Sequence, residues 1–246
     1  LIVLGRSLFL FPEPVKELSE VCSEKKIPVL FDAAHVFGLI AGGKFQNPLA
    51  EGADVLTAST HKTFPGPQRG IAASNLDPEN ANWKKVDRGV FPGSSSNHHL
   101  HSLPALLVAI REFKKYGKEY AHQTTQNAKK LAHELDKHGF KVEGKEFGFT
   151  ESHQVAVDVT SLGGGNSVAQ KLEDNNIIVN ANMLYGDEDP RKPRGIRIGV
   201  QEMTRFGMKD NEIARIAEFM KDVVGGMNVR SEVVKFRQQY LTMKYW

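Results

Sequence analysis

Cysteine is nearly absent: Cys22 is the only one in 246 residues. A lone thiol excludes an intrachain disulfide, and its place in an amphipathic stretch marks a packed side chain rather than a nucleophile, so a reducing cytoplasm is the expected setting. Long apolar runs are missing as well. No stretch approaches the ~20 apolar residues that a bilayer-spanning helix needs, and no signal-peptide pattern opens the chain, so no membrane partner is expected. Charge of one sign is scarce: 32 Lys and Arg stand against 29 Asp and Glu, for a formal net charge of +3. With no block of like charge there is no electrostatic footprint for nucleic acid, and small anions are the charged ligands left to consider. A starting Met is lacking too, and Leu1-Ile-Val-Leu4 reads as the inside of a strand, as in a piece cut from a longer protein.

What is present is an ordinary globular composition, 40% hydrophobic and 25% charged, enough for one large or two small domains. The chain opens as strand, helix, strand: 1–5 apolar, a helix from Pro12 through Lys26 with Val15, Leu18 and Val21 on one face, then 27–31 apolar again. Further strands are expected over 53–57 and 70–74, followed by a polar connection. Helices are expected over 103–116 and 118–138, with a domain boundary at Gly117 that divides the chain into 1–117 and 118–246. Beyond it come short apolar runs at 140–142 and 154–158, a glycine turn at 163–166, a helix over 167–175 and a strand over 177–179. A polar loop over 180–193, a strand over 195–200, a helix over 209–224 and a last helix over 231–246 complete a small α/β layer.

Two stretches carry chemistry. In the first, an apolar strand ends in Asp32-Ala-Ala-His35; in the second, a strand opens into Ser59-Thr60-His61-Lys62-Thr63-Phe-Pro-Gly66. A lysine in one loop is by itself a surface residue more often than not. Two strand ends presenting a carboxylate and an amine form a stronger pattern, because parallel sheets gather ligands at the carboxyl ends of their strands. The amine is the group that Schiff-base chemistry requires, and a strand-end Asp is the usual partner of a pyridinium nitrogen in pyridoxal phosphate sites. Ser59 and Thr60 add hydroxyl donors for an anion.

The order and spacing of Asp32-Ala-Ala-His35…Gly38-Leu-Ile-Ala, Asn47-Pro48, Ala53-Asp54-Val55, Thr60-His61-Lys62-Thr63 and Arg194-Gly-Ile-Arg197-Ile-Gly199 resemble the serine hydroxymethyltransferase family over nearly the whole chain. The resemblance implies an α/β fold of the fold-type-I pyridoxal phosphate class: the later part of a large domain with a mainly parallel sheet, then a small C-terminal domain. It also implies a long upstream segment, so that the chain alone would hold an incomplete site.

By the same resemblance Lys62 holds pyridoxal 5'-phosphate covalently, Asp32 keeps its ring protonated, and His35, His61 and Ser7 shape the pocket, His35 also reaching substrate. Arg197, a strand arginine between Ile196 and Ile198, becomes a bidentate clamp on the amino-acid carboxylate. The donor-rich run from Val90 to His101 falls where the family holds the phosphate of a neighbouring subunit's cofactor. Ser96 and Asn97 stand there in place of two glycines and keep the backbone donors.

Arg69 lies one residue farther from the lysine than the family pattern has it. The histidines of the 98–101 run lack carboxylate or thiolate companions at ligand spacing, so no metal is expected. The implied activity is reversible transfer of a one-carbon unit between serine and a reduced pterin, of tetrahydrofolate or methanopterin type, giving glycine, in a homodimer with shared sites. A threonine-type aldolase without a pterin and a non-catalytic fragment or interaction protein are the alternatives.

Overall fold

The computed structural model describes residues 1–97 and 99–245. His98 of the donor-rich run and Trp246, the expected end of the last helix, lie outside the described residues. The chain forms two compact units, Leu1–Ser7 with Pro12–Lys115, and Leu8–Phe11 with everything from Tyr116 on.

In the first unit the order is β1 (Ile2–Leu4), α1 (Val15–Glu24), β2 (Val29–Asp32), α2 (Phe37–Ala41), β3 (Val55–Ser59), β4 (Gly70–Ala73) and α3 (Ala81–Arg88). The four strands lie side by side in sequence order. β1 with β2 and β2 with β3 are parallel, whereas β4 returns antiparallel to β3. Val29, Phe31, Val55 and Leu56 are buried, as the short, β-rich apolar runs require.

Helix α1 is shorter than expected at both ends. Pro14 occupies its N-cap; at the other end Lys26 turns to φ 55° and the Ile27 N–H closes on the Cys22 carbonyl at 2.9 Å. Its buried stripe is Val15, Ser19 and Cys22, spaced i, i+4, i+7, while Val21 faces outward. The expected stripe through Val21 is therefore corrected: position i+6 falls on the far side of a 3.6-residue helix. The polar connection expected after β4 contains α3, started by Asn80, whose side chain accepts from the Asn82 N–H at 2.8 Å.

The two helices expected around Gly117 are one, α4 (Leu103–Lys137), 35 residues long. A single interior glycine costs a helix only about 1 kcal/mol relative to alanine, too little to end one with this many apolar contacts. The division between the two units falls inside α4, between Lys115 and Tyr116.

The second unit contains β5 (Lys141–Val142), β6 (Gln154–Asp158), α5 (Gly165–Asp174), β7 (Asn180–Asn182), β8 (Gly195–Gly199), α6 (Gln201–Arg205), α7 (Asp210–Val224) and α8 (Arg230–Arg237). Its sheet is antiparallel in the order β5-β6-β8-β7, with Val155 opposite Ile198 and Val157 opposite Ile196. These side chains, with Leu131, Leu135, Leu172, Ile213 and Met220, form one buried cluster. Residues Leu8–Phe11 are bound to it: the Phe9 N–H donates to Gln154 Oε1 at 2.7 Å and the Glu151 N–H to the Leu10 carbonyl at 2.7 Å.

The glycine run is structural. Gly163 and Gly164 take positive φ, and a Cβ on Gly165 would sit 2.2 Å from the Gly195 carbonyl oxygen. The strand expected over 177–179 begins at Asn180 instead, in register with Arg197. The loop after it is ordered by Asp187, whose carboxylate accepts from the Leu184 N–H at 3.0 Å and the Arg194 N–H at 2.9 Å and pairs with the Arg194 guanidinium. The last helix stops at Arg237 rather than running to the end. The tail leaves the helix so that the Lys244 N–H reaches the Arg205 carbonyl at 2.9 Å and the Tyr245 ring packs 5.6 Å from that of Tyr120. Among the described residues no helix is long and apolar enough to cross a membrane.

Candidate active site

The parallel register decides where the chemistry-bearing residues of the first unit gather. Leu4 lies opposite Phe31, and Asp32 opposite Thr57, so the chain leaves β1, β2 and β3 along one edge of the sheet. Ser7 follows the first exit, Asp32 ends the second strand, and Ser59 ends the third, with Thr60, His61 and Lys62 directly after it. This is the carboxyl edge at which open α/β sheets place ligands.

Gly5 makes the first exit possible. It takes φ +116°, and a Cβ there would meet the Asp32 carbonyl oxygen at 2.3 Å; only glycine lets the two strand ends come this close. Asp32 Oδ1 accepts the Ala34 N–H at 2.9 Å, which fixes the carboxylate over its own turn. The Ala33 N–H continues the ladder to the Thr57 carbonyl at 2.7 Å. His35 lies in the turn before α2 and is half-buried.

Thr63 joins the two motifs. Its hydroxyl donates to the His35 carbonyl at 2.8 Å and accepts from the Gly38 N–H at 2.9 Å. A Cβ on Gly38 would lie 2.3 Å from the Thr63 carbonyl oxygen, so the start of α2 and the lysine loop meet backbone to backbone. Phe37 and Phe64 close the contact with ring centroids 5.4 Å apart, and Phe64 rests on Phe113 at 4.8 Å. Lys62, next to this weld, is half-buried, and His61 points to solvent.

Thr60 has a different task from the one expected. It is buried, and its hydroxyl donates to the carbonyls of Pro67 at 2.6 Å and Arg69 at 3.1 Å. The Gly66 N–H returns to the Thr60 carbonyl at 2.7 Å. Its single proton is therefore spent on closing the 60–69 loop, and the half-exposed Ser59 is left as the hydroxyl donor of the pair.

Arg69 holds the turn that leads into α4, donating from one guanidinium nitrogen to the His99 carbonyl at 2.7 Å and the Ser102 hydroxyl at 2.5 Å. Upstream of that turn the Ser94 and Ser95 hydroxyls are committed to the carbonyls of Gly89 and Val90, at 2.8 and 2.6 Å. Ser96 and Asn97 are exposed. No group of three or more His, Cys, Asp and Glu that could hold a metal ion occurs among the described residues.

Arg197 belongs to the second unit. Ile196 and Ile198 are buried on one face of β8, and Arg197 stands half-covered on the other. Burial lowers its pKa, though an arginine this far above neutrality stays charged. One of its nitrogens donates to Asn180 Oδ1 at 3.3 Å, which orients the guanidinium along the sheet. The sequence named Thr63, Gly38 and the residues around Lys62 as a pattern without giving Thr63 or Gly38 a part. A hydroxyl and a glycine 25 residues apart are matched only once both turns are folded.

The serine hydroxymethyltransferase family model matches residues 1–220. The chain belongs to the serine hydroxymethyltransferase family. A serine hydroxymethyltransferase of Pyrobaculum islandicum is 52% identical over 248 residues, spanning 100% of this chain and 57% of that protein. One from Methanosphaera stadtmanae is 52% identical over 247 residues, 99% of this chain and 58% of that protein. The chain thus spans less than three-fifths of the length of these relatives. Among solved structures, an L-threonine transaldolase from Pseudomonas fluorescens in its internal aldimine state superposes with a TM-score of 0.89 at 33% identity, over 99% of this chain and 56% of that one. The fold is the fold-type-I α/β architecture expected for the family.

Proposed function

We propose that the protein to which this chain belongs is a pyridoxal phosphate-dependent serine hydroxymethyltransferase, moving a one-carbon unit between serine and a reduced pterin with glycine as the other product. The observation that carries this reading is the carboxyl edge of β1, β2 and β3, where Asp32 and Lys62 leave adjacent strands and Thr63 binds their turns together. The residues there fit the cofactor. Gly5 keeps the exit beside Asp32 clear of any side chain, Asp32 offers a carboxylate to a ring N–H, and Lys62 offers an amine to an aldehyde carbon. When bound, pyridoxal phosphate supplies an electron sink for cleavage of bonds at the α-carbon of an amino acid.

The chain's own groups then divide the work. Lys62 anchors the cofactor, and Asp32 holds a proton on the ring nitrogen. His35, His61, Ser7 and Ser59 line the pocket, His35 also meeting substrate. Thr60 keeps the lysine loop closed. Arg197 binds the substrate carboxylate by the two parallel hydrogen bonds that a guanidinium provides. Ser96 and Asn97 offer donors to the phosphate of a second subunit's cofactor, which makes the working form a homodimer with shared sites, located in the cytoplasm.

The test uses the full-length protein. Lys62→Ala should lower serine cleavage at least about a hundredfold and abolish borohydride-stable labelling of the peptide that contains residue 62. Labelling of another lysine in the wild type would overturn the assignment. The transaldolase likeness supports a second reading, an aldolase that acts on 3-hydroxy amino acids without a pterin. Strict dependence of serine cleavage on tetrahydrofolate or a methanopterin-type carrier separates the two, and whichever carrier supports turnover identifies the pterin. No turnover with either carrier, and no cofactor bound, favours an interaction protein.

A further inference from the structure

Strand β7 reads Asn180-Ala-Asn182, a composition that strand propensity does not favour, because asparagine is depleted in strands. Its place in the sheet accounts for the order of the three. β7 is the last strand of its sheet, paired with β8, and sets Asn180 opposite Arg197, Ala181 opposite Ile196 and Asn182 opposite Gly195. Ile196 is buried in the core of the second unit, so Ala181 shares the core face, and the two asparagines stand on the other face with Arg197. Asn182 turns to its own neighbour, donating from Nδ2 to the Met183 carbonyl at 2.6 Å. Asn180 turns across the strands, and its Oδ1 accepts from the Arg197 guanidinium at 3.3 Å.

The strand on the other flank offers nothing comparable. There Ala156 of β6 stands opposite Arg197, buried, with a methyl group for a side chain. Of the two residues paired with Arg197, Asn180 is thus the one with a side-chain acceptor. An arginine side chain has many rotamers, and gripping a carboxylate by two parallel hydrogen bonds requires one orientation of its plane. A neighbour that holds the plane beforehand removes part of that ordering cost from binding. At 3.3 Å the bond to Asn180 is long, so it sets a direction more than it adds stability.

The chemical type of the neighbour matters as well. A guanidinium has more N–H donors than a carboxylate takes, so giving one to Asn180 does not block the clamp. An amide oxygen is neutral and orients the cation without cancelling its charge. A carboxylate in the same place would pair with Arg197 and compete with an incoming carboxylate.

We propose that Asn180 is a positioning residue for the substrate carboxylate: it holds the Arg197 guanidinium in the orientation that receives the carboxylate and, being neutral, does so without competing for its charge. The inference rests on the proposed activity and on Arg197 as the clamp.

The experiment is calorimetric titration of the full-length protein, loaded with pyridoxal phosphate, with glycine and with glycinamide, which lacks the carboxylate. Asn180→Ala should weaken glycine binding roughly threefold to tenfold and leave glycinamide binding within about twofold of the wild type. Asn180→Asp, which keeps the acceptor and adds a charge, should weaken glycine binding as well. Arg197→Ala should weaken it more strongly, and adding Asn180→Ala to that variant should cost nothing further, because the effect passes through the guanidinium. Glycine affinity unchanged in Asn180→Ala, equal losses for glycine and glycinamide, wild-type glycine affinity in Asn180→Asp, or a further loss on the Arg197→Ala background would overturn the proposal while the clamp stands. Glycine affinity unchanged in Arg197→Ala would remove the clamp itself, and a wild-type protein that binds neither ligand would overturn the activity reading. The proposal falls in both of these cases, and each is distinguishable from a failure confined to Asn180.

Discussion

Thr63 illustrates how much a single side chain decides here. Its hydroxyl is the common partner of the His35 carbonyl and the Gly38 N–H, so replacing it by an isosteric apolar group leaves two backbone atoms unsatisfied in a buried place. Thr63→Val should destabilise the full-length protein by about 1–3 kcal/mol, and Thr63→Ser by less, as measured by denaturant unfolding. Equal stability of all three would remove Thr63 from its linking part.

Asp158 acts at the same scale in the other unit. Burial pushes its carboxyl up, but hydrogen bonds from Lys141 and from the hydroxyl and N–H of Thr160, together with the Lys141 charge, outweigh it and hold the group well below the usual carboxylate range. A folded-state pKa below the unfolded one stabilises above the unfolded value, near 3.9, and the contribution fades as the pH falls further. Asp158→Asn should therefore cost about 1–3 kcal/mol at pH 7, with the gap to the wild type narrowing below about pH 4. A gap that stays constant between pH 7 and pH 3 would mean that the charge has no part in it.

Among the elements, α5 shows a packing constraint that composition hides. Its first residue, Gly165, donates its N–H to the Pro193 carbonyl at 2.8 Å and lies against the Gly195 carbonyl. Helix and strand are in backbone contact there. Any side chain at 165 must push the helix off the sheet, so Gly165→Ala should lower the thermal midpoint by several degrees, about 2 kcal/mol or more. Gly139→Ala offers a comparison of a different kind: its Cβ would meet nothing within 4 Å, yet its φ of +87° strains any side chain. If Gly165→Ala proves the milder of the two, backbone conformation outweighs close approach at these sites.

Helix α4 makes the complementary point. Apolar periodicity foretold helix on both sides of Gly117, and an uninterrupted hydrogen-bond ladder joined the two stretches at small cost.

For the whole molecule, the informative surface lies on the first turns of α4. Leu103, Leu107 and Ile110 share one helical stripe and are 43%, 53% and 47% exposed, and Val90, Phe91 and Leu100 add to the uncovered apolar area. A patch of this kind is characteristic of an interface. In the proposed homodimer, Leu107→Glu combined with Ile110→Glu should shift the full-length protein towards monomer in sedimentation and lower serine turnover in step. A double variant that remains dimeric would place the subunit interface elsewhere.

The strand end at Asp32, the strand ahead of the lysine, and the alternation that sets Arg197 against Ile196 and Ile198 were legible because each is local: a short β-rich run, a turn, a period of two; the strand expected over 53–57 lies two residues later, as Val55–Ser59. Membership of the family was legible for the same reason, as a series of short motifs at fixed spacing. Tertiary structure alone decided that Thr60 spends its proton inside its own loop, that Thr63 rather than a charged residue ties Asp32-His35 to Lys62, and that Gly5, Gly38 and Gly165 are places where backbones touch. It also decided the continuity of α4, the late start of β7 at Asn180 and the early end of α8 at Arg237. Each of these depends on a partner far away in sequence, and hydrogen-bond satisfaction and close packing are settled only when such partners have been brought together.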